Sequence, residues 1–319
     1  MNKARTKLIV VTRTKNRPLL LERAIESIDK QTYEDYHHVV LNDGGDKKVV
    51  EDLIKKHPNK RRTVIHNNES VGLTKALNQG IRHADSEYVF ILDDDDTWAS
   101  ERLEVTVKHL DETGSKGAVC VMDRVIEEID GDKIRIISTD RWREDIHHIS
   151  LYEQCLDNHM TNGCFAYRRE VYEELNGYDE KLEVAEDWDF GLRFLLKYDV
   201  DFIRTKDALH FYHHRPKQGG DSGNSVFAGV EAHNDALNKI MNKYLRDDID
   251  KGRFGLGYII NSLKYEQKNN AAYREQIDKD IVRIEGHMNY VSENLEQKIE
   301  KIVVDSAFYT KLKKKLKTR

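Results

Sequence analysis

Apolar residues fall along the first hundred positions in short blocks whose period switches between strand-like and helix-like. Lys7–Thr12 is β-branched and apolar, as a central strand requires. Leu20, Leu21, Ala24, Ile25 and Ile28 then recur at helical spacing behind Pro18, which a first helical turn tolerates. His38–Leu41 predicts a second strand that runs into the tight turn Asn42-Asp43-Gly44-Gly45. Val49, Val50, Leu53 and Ile54 mark a helix, Arg62–His66 a strand, Val71–Ala84 a helix and Tyr88–Leu92 a strand buried on both faces. Strands alternating with helices at this pitch predict a parallel sheet with right-handed crossovers.

Further along, the pattern becomes α+β. Glu101–Leu110 predicts a helix and Gly117–Met122 a strand. Asp130-Gly131 sits between Val125-Ile126 and Ile134–Ile137 as a hairpin signal. Thr161-Asn162-Gly163 precedes an apolar strand over Cys164–Tyr167. Glu186 opens a helix that carries Leu192, Leu195 and Leu196. Gln218–Ser225, the only Gly/Ser-rich stretch, is either a mobile lid or a linker. Beyond about residue 226 the chain is helical, with segments over Val230–Leu245 and Gly255–Lys264. Ile277, Ile281, Ile284, Met288, Val291 and Leu295 alternate spacings of four and three, a heptad stripe. It predicts a homo-oligomer, with packing on its own domain as the alternative. The expected fold class is α/β, with a C-terminal all-helical extension. The expected domains are 1–226 (a nucleotide-binding half to about 100, an acceptor half over 101–226) and 227–319.

The chemistry concentrates where the Tyr88 strand ends, in Asp93-Asp94-Asp95-Asp96. Crowded carboxylates repel one another, and a divalent cation removes that penalty. Side chains still alternate there, so Asp93 and Asp95 share one side and Asp94 and Asp96 the other. The competing reading is a solvated acidic turn with Asp96 capping the next helix. Thr14, Asn16, Asp43 and Asn68 lie on loops at the carboxyl ends of the other strands, where ligands of open α/β sheets collect. No Gly-x-Gly-x-x-Gly or Gly-Lys-Ser/Thr loop accompanies this nucleotide-sized cleft, so phosphates would need a metal. Hard oxygen ligands suit Mg²⁺ or Mn²⁺, and an EF-hand is excluded by its missing Gly and distal Glu.

Bulk properties narrow the partners. Charged residues make up 34% of the 319 and hydrophobic ones 39%. A formal net charge of −5 argues against nucleic-acid binding. The three cysteines, Cys120, Cys155 and Cys164, have no metal spacing and suit a reducing compartment. No apolar run approaches the roughly 18 residues of a membrane span, and the start lacks a signal-peptide apolar region. A cytoplasmic protein is expected. Its basic end, Lys311–Arg319, is either solvated or in peripheral contact with anionic lipid at the inner membrane face or with a polyanionic acceptor.

Several ordered motifs resemble the family 2 glycosyltransferases of GT-A fold. They are Val11-Thr-Arg-Thr14-Lys-Asn16-Arg17-Pro18, Ala24-Ile-Glu-Ser-Ile with Gln31-Thr32-Tyr33, Asn42-Asp43-Gly44-Gly45, and Gly72-Leu-Thr-Lys75-Ala-Leu-Asn78. The Asp-x-Asp signature within Asp93–Asp96, Arg168-Arg169-Glu170, Gly177-Tyr-Asp179 and Glu186-Asp187-Trp188-Asp189 follow, so the likeness covers about residues 6 to 216. Lys15 stands where an aromatic is commoner. The resemblance implies a mostly parallel sheet flanked by helices and an inverting transfer from a nucleotide-diphospho-sugar, a UDP-sugar first. The acceptor would be a hydroxyl of a glycan or glycoconjugate, such as a bacterial cell-surface polysaccharide. Asp187 would take the acceptor's proton during attack. Asp93, Asp95 and a histidine, His213, would hold Mn²⁺ or Mg²⁺. Thr14, Asn16, Asp43, Asn68, Lys75 and Asp94 would serve the nucleotide, and Glu186, Trp188 and Asn162 the sugars. A nucleotidyltransferase and a non-catalytic sugar-binding descendant are the alternatives.

Overall fold

The computed structural model describes residues 6–144, 146, 148–224 and 229–316, and their side chains except at 287 and from 296 onward. The sequence blocks appear in the expected order. They are β1 (Thr6–Thr14), α1 (Pro18–Asp29), β2 (Tyr36–Asp43), α2 (Lys47–Lys56), β3 (Arg62–Asn67), α3 (Leu73–His83) and β4 (Ser86–Ile91). Asp46 stops the chain from running on from β2, because its carboxylate accepts from the Lys48 and Val49 amides and caps α2. Gly44 makes the turn before it at φ +78°, and a Cβ there would fall 2.5 Å from the Ser70 nitrogen.

A short strand β5 (Thr97–Trp98) follows, then α4 (Arg102–Thr113), β6 (Gly117–Cys120), β7 (Met122–Asp130), β8 (Lys133–Arg141), α5 (Leu151–Leu156) and β9 (Phe165–Arg168). Next come α6 (Arg169–Glu174), α7 (Glu186–Leu195), β10 (Asp201–Ile203) and β11 (His210–His214). The large sheet runs β10-β6-β9-β4-β1-β2-β3. All its pairings are parallel except those of β9, which lies antiparallel between β4 and β6. β1 and β4, at its middle, keep Leu8–Val11 and Tyr88–Leu92 out of water on both faces. A second sheet, β5-β11-β7-β8, stands beside the ends of β4 and β6. A register shift at Ile126/Glu127 in β7 turns Glu127 inward, where it is fully buried.

The C-terminal part consists of two helices, α8 (Val230–Asp250) and α9 (Leu256–Leu316). The compact unit reaches Ile260, and the second unit starts at Asn261. α8 therefore belongs to the first unit, and the expected boundary at 226/227 moves. Its Lys243 donates to Asp179 and to the buried Asp189, each at 2.9 Å, and Tyr244 bonds the same Asp189 at 3.1 Å. The two helices expected over Gly255–Lys264 and Ile277–Leu295 are one, since no proline or cap interrupts them. The stripe residues from Ile277 to Leu295 are all exposed. Among the described residues no helix is long and apolar enough to cross a membrane. Ser225 and residues 317–319 lie outside the described residues, as do the side chains of the basic end.

Candidate active site

β4 delivers the four aspartates to the carboxyl edge of the sheet, and the alternation holds. Asp94 and Asp96 are buried while Asp93 and Asp95 are partly open. Asp96 caps no helix. It accepts from the His213 amide at 2.9 Å and pairs with His210 Nε2 at 3.0 Å. Burial opposes both charges, but the pairing wins, holding the Asp96 carboxyl below its usual range and lifting His210 to about 9. Gly163 leaves room for that imidazole, because a Cβ there would lie 2.3 Å from His210 Nε2.

Arginines answer the other three acids. Arg13 donates twice to Asp93 Oδ1, at 2.7 and 3.3 Å, and once to Glu186 Oε1 at 2.8 Å. Arg17 reaches Asp94 Oδ1 at 3.1 Å, and Arg215 reaches Asp95 Oδ2 at 2.5 Å. Arg215 also bonds Glu127 Oε1 at 2.7 Å, and Arg23 bonds Glu127 Oε2 at 2.6 Å. None of these arginines nor Glu127 follows from sequence patterning. Their partners lie 72 to 173 residues away along the chain. A buried polar strand position at Glu127 and a charged Arg13 just past the apolar run of β1 were the only available signals.

On each of these three aspartates the arginine bonds a single carboxylate oxygen. Asp93 Oδ2 and Asp95 Oδ1 stay free of protein partners among the described residues. Asp94 Oδ2 is buried and accepts no hydrogen bond there. The two open oxygens, on Asp93 and Asp95, suit a hard cation that completes its shell with phosphate or water. Among the described residues no group of three or more metal-binding side chains converges, so protein ligands alone would not suffice. His213 is not one of them. Its Nδ1 faces Glu127 Oε2 at 2.8 Å and its Nε2 faces Thr97 Oγ1 at 2.9 Å, because β11 turns that ring into the second sheet. Burial lowers its pKa. It holds Glu127 in place.

The base candidate stands at the start of α7, behind Ala185 in the left-handed region at φ +60°. A non-glycine residue pays about 1–3 kcal/mol for that conformation. Asp187 Oδ1 accepts from the Trp188 amide at 2.8 Å. Burial, then Glu186 and Asp93, push its pKa to about 7. Burial and Asp96 push Asp95 to about 7 as well, against Arg215. Glu186 is buried with Arg13 and with Asn162 Nδ2 at 3.5 Å, so both residues position the acid pair. Trp188 departs from its expected sugar contact. It is buried and its Nε1 donates to Gln154 O at 2.5 Å, because an aromatic in this turn also fills core.

The nucleotide side is mixed. Thr14, beside Asp94, and Asn16, at φ +57°, line a cleft of about 180 Å³ with Leu21, Val49 and Val50. Asn16 Oδ1 accepts from the Asp46 amide at 3.2 Å. Asp43 accepts from Asn67, Ser70, Val71 and Gly72 at 2.7–3.1 Å, which uses both oxygens to shape the loop after β3. Asn68 and Lys75 are exposed at its rim.

The chain resembles known glycosyltransferases in sequence and in fold. A family model described as "Glycosyl transferase family 2" matches residues 9–176. An uncharacterized glycosyltransferase of Methanocaldococcus jannaschii is 27% identical over 199 residues, 61% of this chain and 67% of that protein. The structure of S. aureus TarS 1–349 in complex with UDP-GlcNAc superposes with TM-score 0.57 at 19% identity, over 75% of this chain and 66% of that one. This chain spans 40% of the longer TarS chain. The mannosyltransferase PcManGT from Pyrobaculum calidifontis, in complex with GDP-Man and Mn²⁺, gives 0.58 at 20% identity, over 82% and 70%. These two likenesses show the fold.

Proposed function

The chain belongs to glycosyl transferase family 2, and from that premise we propose an inverting transfer from a nucleotide-diphospho-sugar to a hydroxyl of a glycan or glycoconjugate. One observation carries this reading: Arg13 bonds Asp93 at 2.7 Å and Glu186, the neighbour of Asp187, at 2.8 Å, so one guanidinium joins the acids after β4 to those opening α7. A donor-side acid cluster and a base on another element therefore face one space, with Arg13 clamped between them. Asp187 would accept the acceptor's proton as its oxygen attacks the anomeric carbon and the bond to diphosphate breaks. Attack opposite the leaving group inverts configuration. Mn²⁺ or Mg²⁺ on Asp93 and Asp95 would offset charge on the departing diphosphate. Arg17 and Arg215 lie beside the same carboxylates and would face the same phosphates.

Thr14 and Asn16 are the base contacts that fit best. Asp43 supports them indirectly, since its oxygens are already engaged. UDP and GDP are both to be tried, with a UDP-sugar as the first reading. The stripe on α9 is proposed to pair with a second copy, because its heptad spacing is exposed throughout. Calorimetry with UDP and GDP, with Mn²⁺ and then with chelator, tests the donor side. Nucleotide binding that is equal in both conditions would remove the metal from the reading, and absence of nucleotide binding would remove the donor.

A further inference from the structure

α8 starts at Val230, past every motif of the acid cluster, yet it reaches the turn that carries Asp187. Ala236 and Ile240 are buried one turn apart, and Lys243 and Tyr244 follow at the spacing of the same helix face. Lys243 Nζ donates to Asp189 Oδ1 and to Asp179 Oδ2, each at 2.9 Å, and the Tyr244 hydroxyl donates to Asp189 Oδ1 at 3.1 Å. Arg193 holds the other oxygen, Asp189 Oδ2, at 2.8 Å. Asp189 is fully buried, so its charge depends on these donors.

Asp189 lies two positions after Asp187 on α7. At about 100° per residue the two side chains leave the helix in nearly opposite directions. α8 therefore grips this turn on the side away from the proposed base, while Arg13 holds it through Glu186 at 2.8 Å. Between Asp179 and Asp189 the chain passes Ala185 at φ +60°, a conformation that persists only where the surroundings impose it. Lys243 bridges both ends of that segment. Its middle is pinned as well, because the Leu182 amide donates to Asp179 O at 2.9 Å and the Leu182 carbonyl accepts from Thr74 Oγ1.

We infer that Lys243 and Tyr244 are positioning residues, through which α8 backs the turn that aims Asp187. The inference rests on the reading of Asp187 as the base for its purpose, whereas the clamp stands on these bonds alone. Packing does not call for it. Ala236 and Ile240 already bury the inner face of α8, and apolar residues can replace a buried ion pair at little cost in stability. An ammonium shared between two carboxylates instead fixes where both segments lie.

The Trp188 amide reports the aim of the base, since it belongs to the first turn of α7 and donates to Asp187 Oδ1 at 2.8 Å. Labelling the full chain with ¹⁵N-tryptophan gives three backbone amides, those of Trp98, Trp142 and Trp188. In the Lys243→Met/Tyr244→Phe double variant the Trp188 amide should shift and exchange with solvent about tenfold faster or more, because Asp189 Oδ1 loses both partners. Trp98 and Trp142 should keep their wild-type shifts and rates. Tyr244→Phe alone removes a single hydroxyl and should move Trp188 in the same direction, which keeps the test open if the double variant does not fold. Lys243→Arg retains a cation for both acids and should leave Trp188 unchanged, as should Lys239→Met on the exposed side of the same helix. An unmoved Trp188 amide, or equal changes at all three tryptophans, overturns the inference. A Trp188 amide that moves as expected while Asp187→Asn turns over like the wild type would keep the clamp and sink the base assignment instead.

Discussion

Glu127→Gln is the perturbation with the most at stake outside the proposed base. The side chain is fully buried and receives Arg23, Arg215 and His213 at 2.6, 2.7 and 2.8 Å. Burial alone would raise its pKa, but the bonds from His213 and Arg23 outweigh it and bring the carboxyl from 4.5 to about 2. At about 1.4 kcal/mol per pKa unit, the ionised form stabilises the fold by roughly 3 kcal/mol. Because the folded pKa is depressed, that contribution is complete above the ordinary value of 4.5 and fades as pH falls toward 2. Urea unfolding at pH 7 should show the variant less stable by about 3 kcal/mol, in line with breaking a buried charge pair. Between pH 7 and pH 4 the gap should narrow by about 1 kcal/mol, because the unfolded wild-type chain takes up a proton at Glu127 that the folded one still excludes. A gap below about 1 kcal/mol at pH 7, or one that widens in acid, would refute the reasoning.

Asp187→Asn should leave nucleotide affinity unchanged and cut kcat by about 10²–10⁴-fold, and turnover near wild type would move the base elsewhere. Because Asp187 is held at about 7 and acts ionised, kcat should rise as pH climbs through that value; a flat profile from pH 5.5 to 8.5 would disconnect it from the rate. Gly163→Ala drives a methyl into the His210 ring and should cost about 1–3 kcal/mol in urea unfolding, with a wild-type midpoint disproving the close packing. Ile284→Asp with Val291→Asp should lower the mass seen by light scattering; a monomeric wild type, or an oligomer untouched by both changes, would count against the stripe as a pairing surface.

Most strands and helices of the first hundred residues were legible because they bury a complete face, so periodicity reports it directly; β3, half-buried throughout, was legible from its β-branched run alone. The aspartate alternation was legible for the same reason. What escaped was the long-range charge balance. Arg13, Arg17, Arg23, Arg215 and Glu127 meet only through tertiary contacts, and single residues carry no period. His213 was expected at the metal, but it lies within β11 and its ring faces Glu127, and facing depends on a pairing between β11 and β7 that no local signal gives. Trp188 shows the limit of motif transfer, since indole rings fill cores as readily as they touch sugars. The boundary near 226 followed the point where the family likeness fades and the helical pattern begins, whereas Lys243 and Tyr244 tie the next helix back to Asp189.

Among the described residues four non-glycines sit in the left-handed region, Asn16, Arg143, Asn176 and Ala185. Asn16 edges the small cleft, Arg143 a larger cavity of about 380 Å³ at the ends of β6 and β10, and Ala185 precedes the acid pair; only Asn176 closes an ordinary helix end. For an engineer this matters in an unexpected direction. Glycine at 185 would relieve the backbone by about 1 kcal/mol, so a stability-guided redesign would choose it early. The same change would loosen the one turn that aims Glu186 and Asp187. Positions where the chain is locally ill-suited to its own conformation are thus the ones that thermostabilisation should leave alone, and they outline the working surface of the molecule without reference to any ligand.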